Sequence, residues 1–181
     1  MTMKTTKVLL ALLAFVAISV GSTAWGAEVF KHSWGKVAFE TPVDFSKPEE
    51  IGMGAVALTS PSDSPQGKGN LVITLVYVPK DMQESMGNNP AAVMTYVKST
   101  YLGTAKPAQR AKDITFLGQV VKGEVQAMTI PKPGELEVYL VRLSGGDKVA
   151  VALARGQDIP AAEAAKVMGM VAKTFKESPK K

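Results

Sequence analysis

The sequence predicts one α+β domain: an antiparallel sheet of six or seven strands, ending in a C-terminal four-strand meander and covered by helices. Three observations carry this. Residues 71–78 (LVITLVYV) are apolar at every second position on both faces, as in a strand buried from two sides. From residue 113 onward the pattern alternates with period two between short turns, which forces antiparallel neighbours. Two segments, 90–101 and 160–175, instead carry apolar residues at helical spacing.

Residues 28–32 and 36–40 read as short strands around the turn formers Ser33-Trp34-Gly35. Pro42 and Pro48 punctuate the next segment, and 55–59 reads as a third strand. Residues 60–70 (SPSDSPQGKGN) are almost all turn formers and predict an exposed loop. Pro79 stops the long strand, and 80–88 reads as a polar connection holding Met82 and Met86. Asn89-Pro90 is an N-cap followed by a proline at the first helical position. Val93, Tyr96, Val97, Thr100 and Tyr101 form the stripe of that helix, which Gly103 ends. The meander is read as strands 114–121, 124–130, 136–143 and 148–154, with its first turn at Lys122-Gly123. In the closing helix Ala164, Val167, Met168, Val171 and Phe175 face the core, and Glu163, Lys166 and Lys173 face away.

The N-terminus reads as an export signal. Lys4 and Lys7 precede a 13-residue apolar run, 8–20, too short to cross a bilayer alone. Gly21 breaks it, and the small residues after it set cleavage after Ala24 or after Gly26. The expected organisation is a signal peptide over 1–24, a single domain over 25–176 and a basic tail over 177–181. The expected location is periplasmic or secreted, with no stable membrane span after cleavage.

Composition removes several classes of chemistry. With no cysteine in 181 residues there is no disulfide, thiolate metal site or cysteine nucleophile. The net charge of +5 sits at the chain ends: residues 25–172 hold 15 basic and 15 acidic side chains. A nucleic-acid face needs a basic stripe on the fold itself, so no nucleic-acid partner is expected.

Candidate sites are few. Residues 52–57 (GMGAVA) match the letters of a dinucleotide fingerprint but lack its strand-before, helix-after setting. Gly67-Lys68-Gly69 lacks the remaining residues of a phosphate loop. His32, the single histidine, is expected as a surface or partly packed residue, since no serine elbow exists for it to serve. Glu135 and Glu137 share a strand face, the arrangement of an acid/base pair, but they come just after a Pro-Gly turn where solvated charges are normal. Met82 and Met86, with Asn89, form the expected partner-contact site, because methionine adapts to a contact surface and a helix start favours an acidic group. Core filling is the alternative for these methionines, and soft-metal ligation another.

The order of elements, with KVAFETPVDF at 36–45, NLVITLVYVP at 70–79 and a closing helix ending in Phe175, resembles the PsbP-like family. This is the fold of the extrinsic photosystem II subunit, a Ran-binding transport factor and many small exported bacterial proteins. The resemblance spans about residues 28–176 and implies an α/β/α sandwich and a binding or assembly role. No functional residue is carried over, because none matches by identity. The expected function is therefore a non-enzymatic, cofactor-free binding or assembly module for another envelope or secreted protein. The alternatives are a periplasmic carrier of a soft metal or small ligand using the methionine loop and, third, an exported hydrolase.

Overall fold

A computed structural model describes residues 28–178, apart from 62, 65, 66, 69, 105 and 129–132. The export-signal reading and the last residues of the basic tail thus lie outside the described residues. In chain order the elements are β1 (Phe30–Trp34), β2 (Val37–Thr41), β3 (Glu49–Gly52), β4 (Ala55–Thr59), β5 (Asp63–Ser64), β6 (Gly67–Lys68) and β7 (Leu71–Val78). Helices α1 (Lys80–Ser85) and α2 (Pro90–Tyr101) come next, then β8 (Arg110–Phe116), β9 (Gln119–Met128), β10 (Gly134–Arg142), β11 (Lys148–Gly156), α3 (Ala161–Thr174) and β12 (Lys176–Glu177).

The main sheet has seven antiparallel strands in the order β3-β4-β7-β11-β10-β9-β8. This order follows from one crossing. After β7 the chain carries α1 and α2 over one face to the far edge, then returns strand by strand until β11 pairs with β7. Leu71, Ile73 and Leu75 of β7 join Val56, Leu58, Tyr139, Val151 and Leu153 in the larger core, under α3. Val76 and Val78 point the other way, toward Val93 and Val97 of α2. On that face β11 presents Ala150 and Ala152, whose small size leaves room for the helix.

The fold class, the long central strand, the meander and both principal helices agree with the expectations. Six local readings are corrected. First, 49–52 forms an edge strand, β3, despite its charged residues: all four are exposed, so the strand needs no alternation. Second, 60–70 holds the small β5–β6 ribbon. Third, 80–88 is not simply a connection, because α1 forms there; buried Gln83 donates from Nε2 to the carbonyls of Val78 and Gly146, both at 3.1 Å.

Fourth, the first meander turn is at Leu117-Gly118, where both residues have positive φ (49° and 74°) as a two-residue hairpin requires. Lys122-Gly123 lies inside β9. Fifth, β1 and β2 leave the main sheet and form a ribbon with β12 beside α3. The start of the basic tail is thereby part of the fold. Glu177 accepts from the Ser144 backbone N–H at 2.6 Å and its hydroxyl at 2.7 Å.

The stripe of α2 is also rotated: Met94 and Lys98 are buried, and Thr100 is exposed. Lys98 tolerates burial because its stem packs in the apolar layer while Nζ meets Glu124 at 2.6 Å. Asn89 caps α2 as expected, its Oδ1 accepting from the Ala91 N–H at 2.9 Å.

Candidate binding site

Met82, Met86 and Asn89, the residues expected to form the site, lie on α1, just after it and at the N-cap of α2. Met82 and Met86 are half-buried against the cluster of Val76, Val78, Val93, Val97 and Ala150. The side-chain oxygen of Asn89 is used by the cap. Replacing both methionines, Met82→Ser with Met86→Ser, is expected to lower stability by about 1–2 kcal/mol per site, the share of a full methionine deletion that half-burial implies. Urea denaturation of the double variant checks this. An unchanged midpoint would show that neither side chain supports the core.

His32 is partly packed, as expected. Its ring stacks on Phe39 with centroids 5.3 Å apart and meets Phe45 edge-on. Buried Thr41 donates its hydroxyl proton to the Val43 carbonyl at 2.6 Å, so His32 Nε2 must donate to Thr41 Oγ1 at 2.9 Å. Burial pulls the imidazole below its ordinary pKa, and the opposite pull of Asp44 is smaller. The unfolded chain therefore binds this proton first. Stability is complete above the ordinary histidine range and falls as pH drops through the lowered value. Urea midpoints across that range should show this decline, and His32→Gln should flatten it. An unaltered acid slope in the variant would remove His32 as the cause.

Glu135 and Glu137 do share a face, but they are not solvated turn charges. The β10–β11 pairing draws them in: Glu135 meets Arg155 at 2.6 Å and Arg110 at 3.6 Å, and Glu137, only 8% exposed, meets Lys112 at 2.5 Å. Arg155 holds the Glu135 carboxyl below the usual carboxylate range. Each acid has a cation, so these are closed ion pairs under the start of α3. The fingerprint-like 52–57 spans the β3–β4 hairpin, with no helix after the glycines. Gly67-Lys68 belongs to β6, which settles it as a ribbon, and Gly69 lies outside the described residues.

A more open feature lies where two hairpin tips meet the end of β7. Trp34, Val37, Gly54, Tyr77 and Val149 line a cavity of about 250 Å³, with Lys36 at its mouth. One carboxylate holds this corner together. Asp147 accepts from Lys36 Nζ at 2.8 Å, from the Tyr77 hydroxyl, and from the Lys80 N–H at 3.1 Å. Lys36 and Tyr77 hold its carboxyl below the usual range. Lys36 also lies 5.2 Å from the Tyr77 ring centroid, a cation–π distance.

Beside the cavity, Met53 is 94% exposed and Ile51 46%. Their hairpin is held at two points: Tyr101 donates to the Met53 carbonyl at 3.0 Å, and the Tyr77 N–H donates to the Gly54 carbonyl at 2.8 Å. Met53 is thus a solvated apolar side chain on a fixed backbone. Sequence reasoning missed this site, because Met53 appeared only as a filler letter between two glycines. The signal was there in an apolar residue at the tip of a Gly-Met-Gly turn.

No protein-family model and no curated protein sequence matches the chain. In three dimensions it is similar to the Ran-binding protein Mog1p of Saccharomyces cerevisiae, with a TM-score of 0.56 at 12% identity, over 83% of this chain and 95% of that one. A crystal structure from Bacteroides thetaiotaomicron gives a TM-score of 0.45 at 13% identity, over 80% of this chain and 46% of that one. The first similarity is one of fold.

Proposed function

We propose that this chain is an exported, non-enzymatic binding module that contacts a protein partner in the cell envelope through the hairpin tip at Met53 and the adjoining cavity. The observation that carries the reading is the solvated Met53 on a backbone pinned by Tyr101 and Tyr77. A rigid, adaptable apolar side chain next to an aromatic-walled hollow is what a partner's large side chain can use. The cavity, about 250 Å³, has room for one such side chain.

The absence of an enzyme role is supported by chemistry already spent. Asp147 serves three donors, and Glu135 and Glu137 are neutralised by cations. Export is supported by Lys4, Lys7 and the apolar run that comes after them. Among the described residues no helix is long and apolar enough to cross a membrane. A protein partner also suits a fold that Mog1p, a Ran-binding protein, shares.

Because the chain has no cysteine, Met53→Cys creates a unique attachment point for a photo-crosslinker. Expressed in its own cells, the labelled variant should give one discrete adduct from the envelope fraction, competed away by unlabelled protein. Lys166→Cys, on the outer face of α3, should give none. The same adduct from both positions, or none from Met53→Cys, would reject the reading.

A further inference from the structure

The layer of helices stops short of the outer meander. Beside α2, the uncovered faces of β9 and β10 form a groove of about 520 Å³ walled by Ala91, Met94, Val120 and Leu140. Val120 is 69% exposed in it. At its end Arg142 and Lys148 stand directly opposite one another on β10 and β11. Like charges facing each other across a ladder destabilise it.

Elsewhere in the meander and its helix, cations near the sheet meet carboxylates: Lys98 with Glu124, Arg110 and Arg155 with Glu135, Lys112 with Glu137. Arg142 and Lys148 form no ion pair among the described residues. The surrounding acids do not supply one: Glu124, in the groove wall, is taken by Lys98; Asp147, next to Lys148 in the chain, is taken by Lys36 and the Tyr77 hydroxyl; and Asp113 stands opposite Lys122, the groove's third cation. Lys148 is half-buried, and both its burial and the charge of Arg142 disfavour its ammonium form.

We infer that this groove binds an extended acidic segment of a partner protein, with a carboxylate between Arg142 and Lys148 and an apolar side chain over Val120, Leu140 and Met94. A carboxylate placed there relieves the repulsion that the fold leaves uncompensated. The apolar wall favours a peptide over a purely anionic polymer. This surface is separate from the Met53 hairpin and goes beyond the reading given for it.

The probe is a short fluorescent peptide rich in glutamate and leucine, titrated against the signal-free protein by fluorescence polarisation. Binding should weaken about tenfold in Arg142→Gln/Lys148→Gln and should weaken on adding salt. It should be absent for the same peptide with glutamine in place of glutamate. Met53→Ser and the far-face Lys173→Gln should bind as the wild type does. Urea midpoints of the double variant should match or exceed the wild type, which separates lost binding from lost folding. Equal binding of the glutamine peptide, no change in the double variant, or preferential binding of anionic lipid vesicles or a single-stranded oligonucleotide would each overturn the inference.

Discussion

Phe175→Ala is expected to cost ~3–5 kcal/mol, a large part of the total stability of a domain this size. Phe175 is the first residue beyond α3, where the backbone turns extended and leads into β12. Its ring is 5% exposed and meets Phe116 of β8 edge-on at 5.4 Å. It also stacks at 6.5 Å on Phe39 of β2. One side chain thus joins the closing helix, the edge of the main sheet and the β1–β2–β12 ribbon. Deleting it opens a cavity that three separate elements would have to collapse to fill. Lys173→Ala, two residues earlier and exposed, should stay within about ±0.5 kcal/mol. Urea melts of the two variants compare them directly, and equal losses would mean that α3 presents a different face to the sheet.

The second large effect is expected from a single added methyl. A Cβ at Gly123 would lie 2.3 Å from Tyr139 Cε1 and 2.9 Å from the Val138 carbonyl oxygen. Tyr139 is fully buried, and its hydroxyl donates to Glu137 at 3.1 Å. The ring therefore cannot swing aside without disturbing the Glu137–Lys112 pair. Overpacking of this kind costs ~1–3 kcal/mol, and the rigid backbone neighbour places Gly123→Ala at the upper end. Gly145→Ala, with nothing within 4 Å of its Cβ, should leave the melt almost unchanged. Combining Gly123→Ala with Tyr139→Leu should cost less than the two single changes together, since removing the ring relieves the clash. Strict additivity would show that the ring is not what Gly123 accommodates.

Gly123 also shows why one boundary was not legible. A Lys-Gly pair between alternating segments is an ordinary turn signal, whereas Leu117-Gly118 is not, because leucine seldom adopts positive φ. The reversal of roles is set by Tyr139, sixteen positions away along the chain, whose ring lies over the glycine in the register of β9 and β10. No local pattern carries that information. The same holds for β3. Its Glu49 and Glu50 have no apolar alternation, and they are held as a strand by pairing with β4. In α2 the buried lysine contradicts its apolar stripe until Glu124 is brought beside it from another element.

The candidate site was less legible than the fold. Met82 and Met86 stood out by residue type; α1 and the residue after it bring them against the valines of β7 and α2 and leave part of each side chain in water. Lys36, Tyr77 and Asp147 are ordinary residues in separate segments. They become one cluster only when the first hairpin docks at the end of β7 beside the β10–β11 turn.

By itself, then, the sequence determined what depends on neighbours along the chain. The doubly apolar run of β7 makes a covered central strand, Asn89-Pro90 starts a helix, and short glycine and proline turns make an antiparallel meander. These follow from local geometry and from burying every apolar face. Tertiary structure alone decided which side chains remained in water and which charges found partners. Met53 is solvated because its hairpin projects past the core, and Arg142 faces Lys148 because strand register places them so. Burial and Coulomb energies depend on distance in space, and for these residues that distance is set by the packing of segments far apart in sequence.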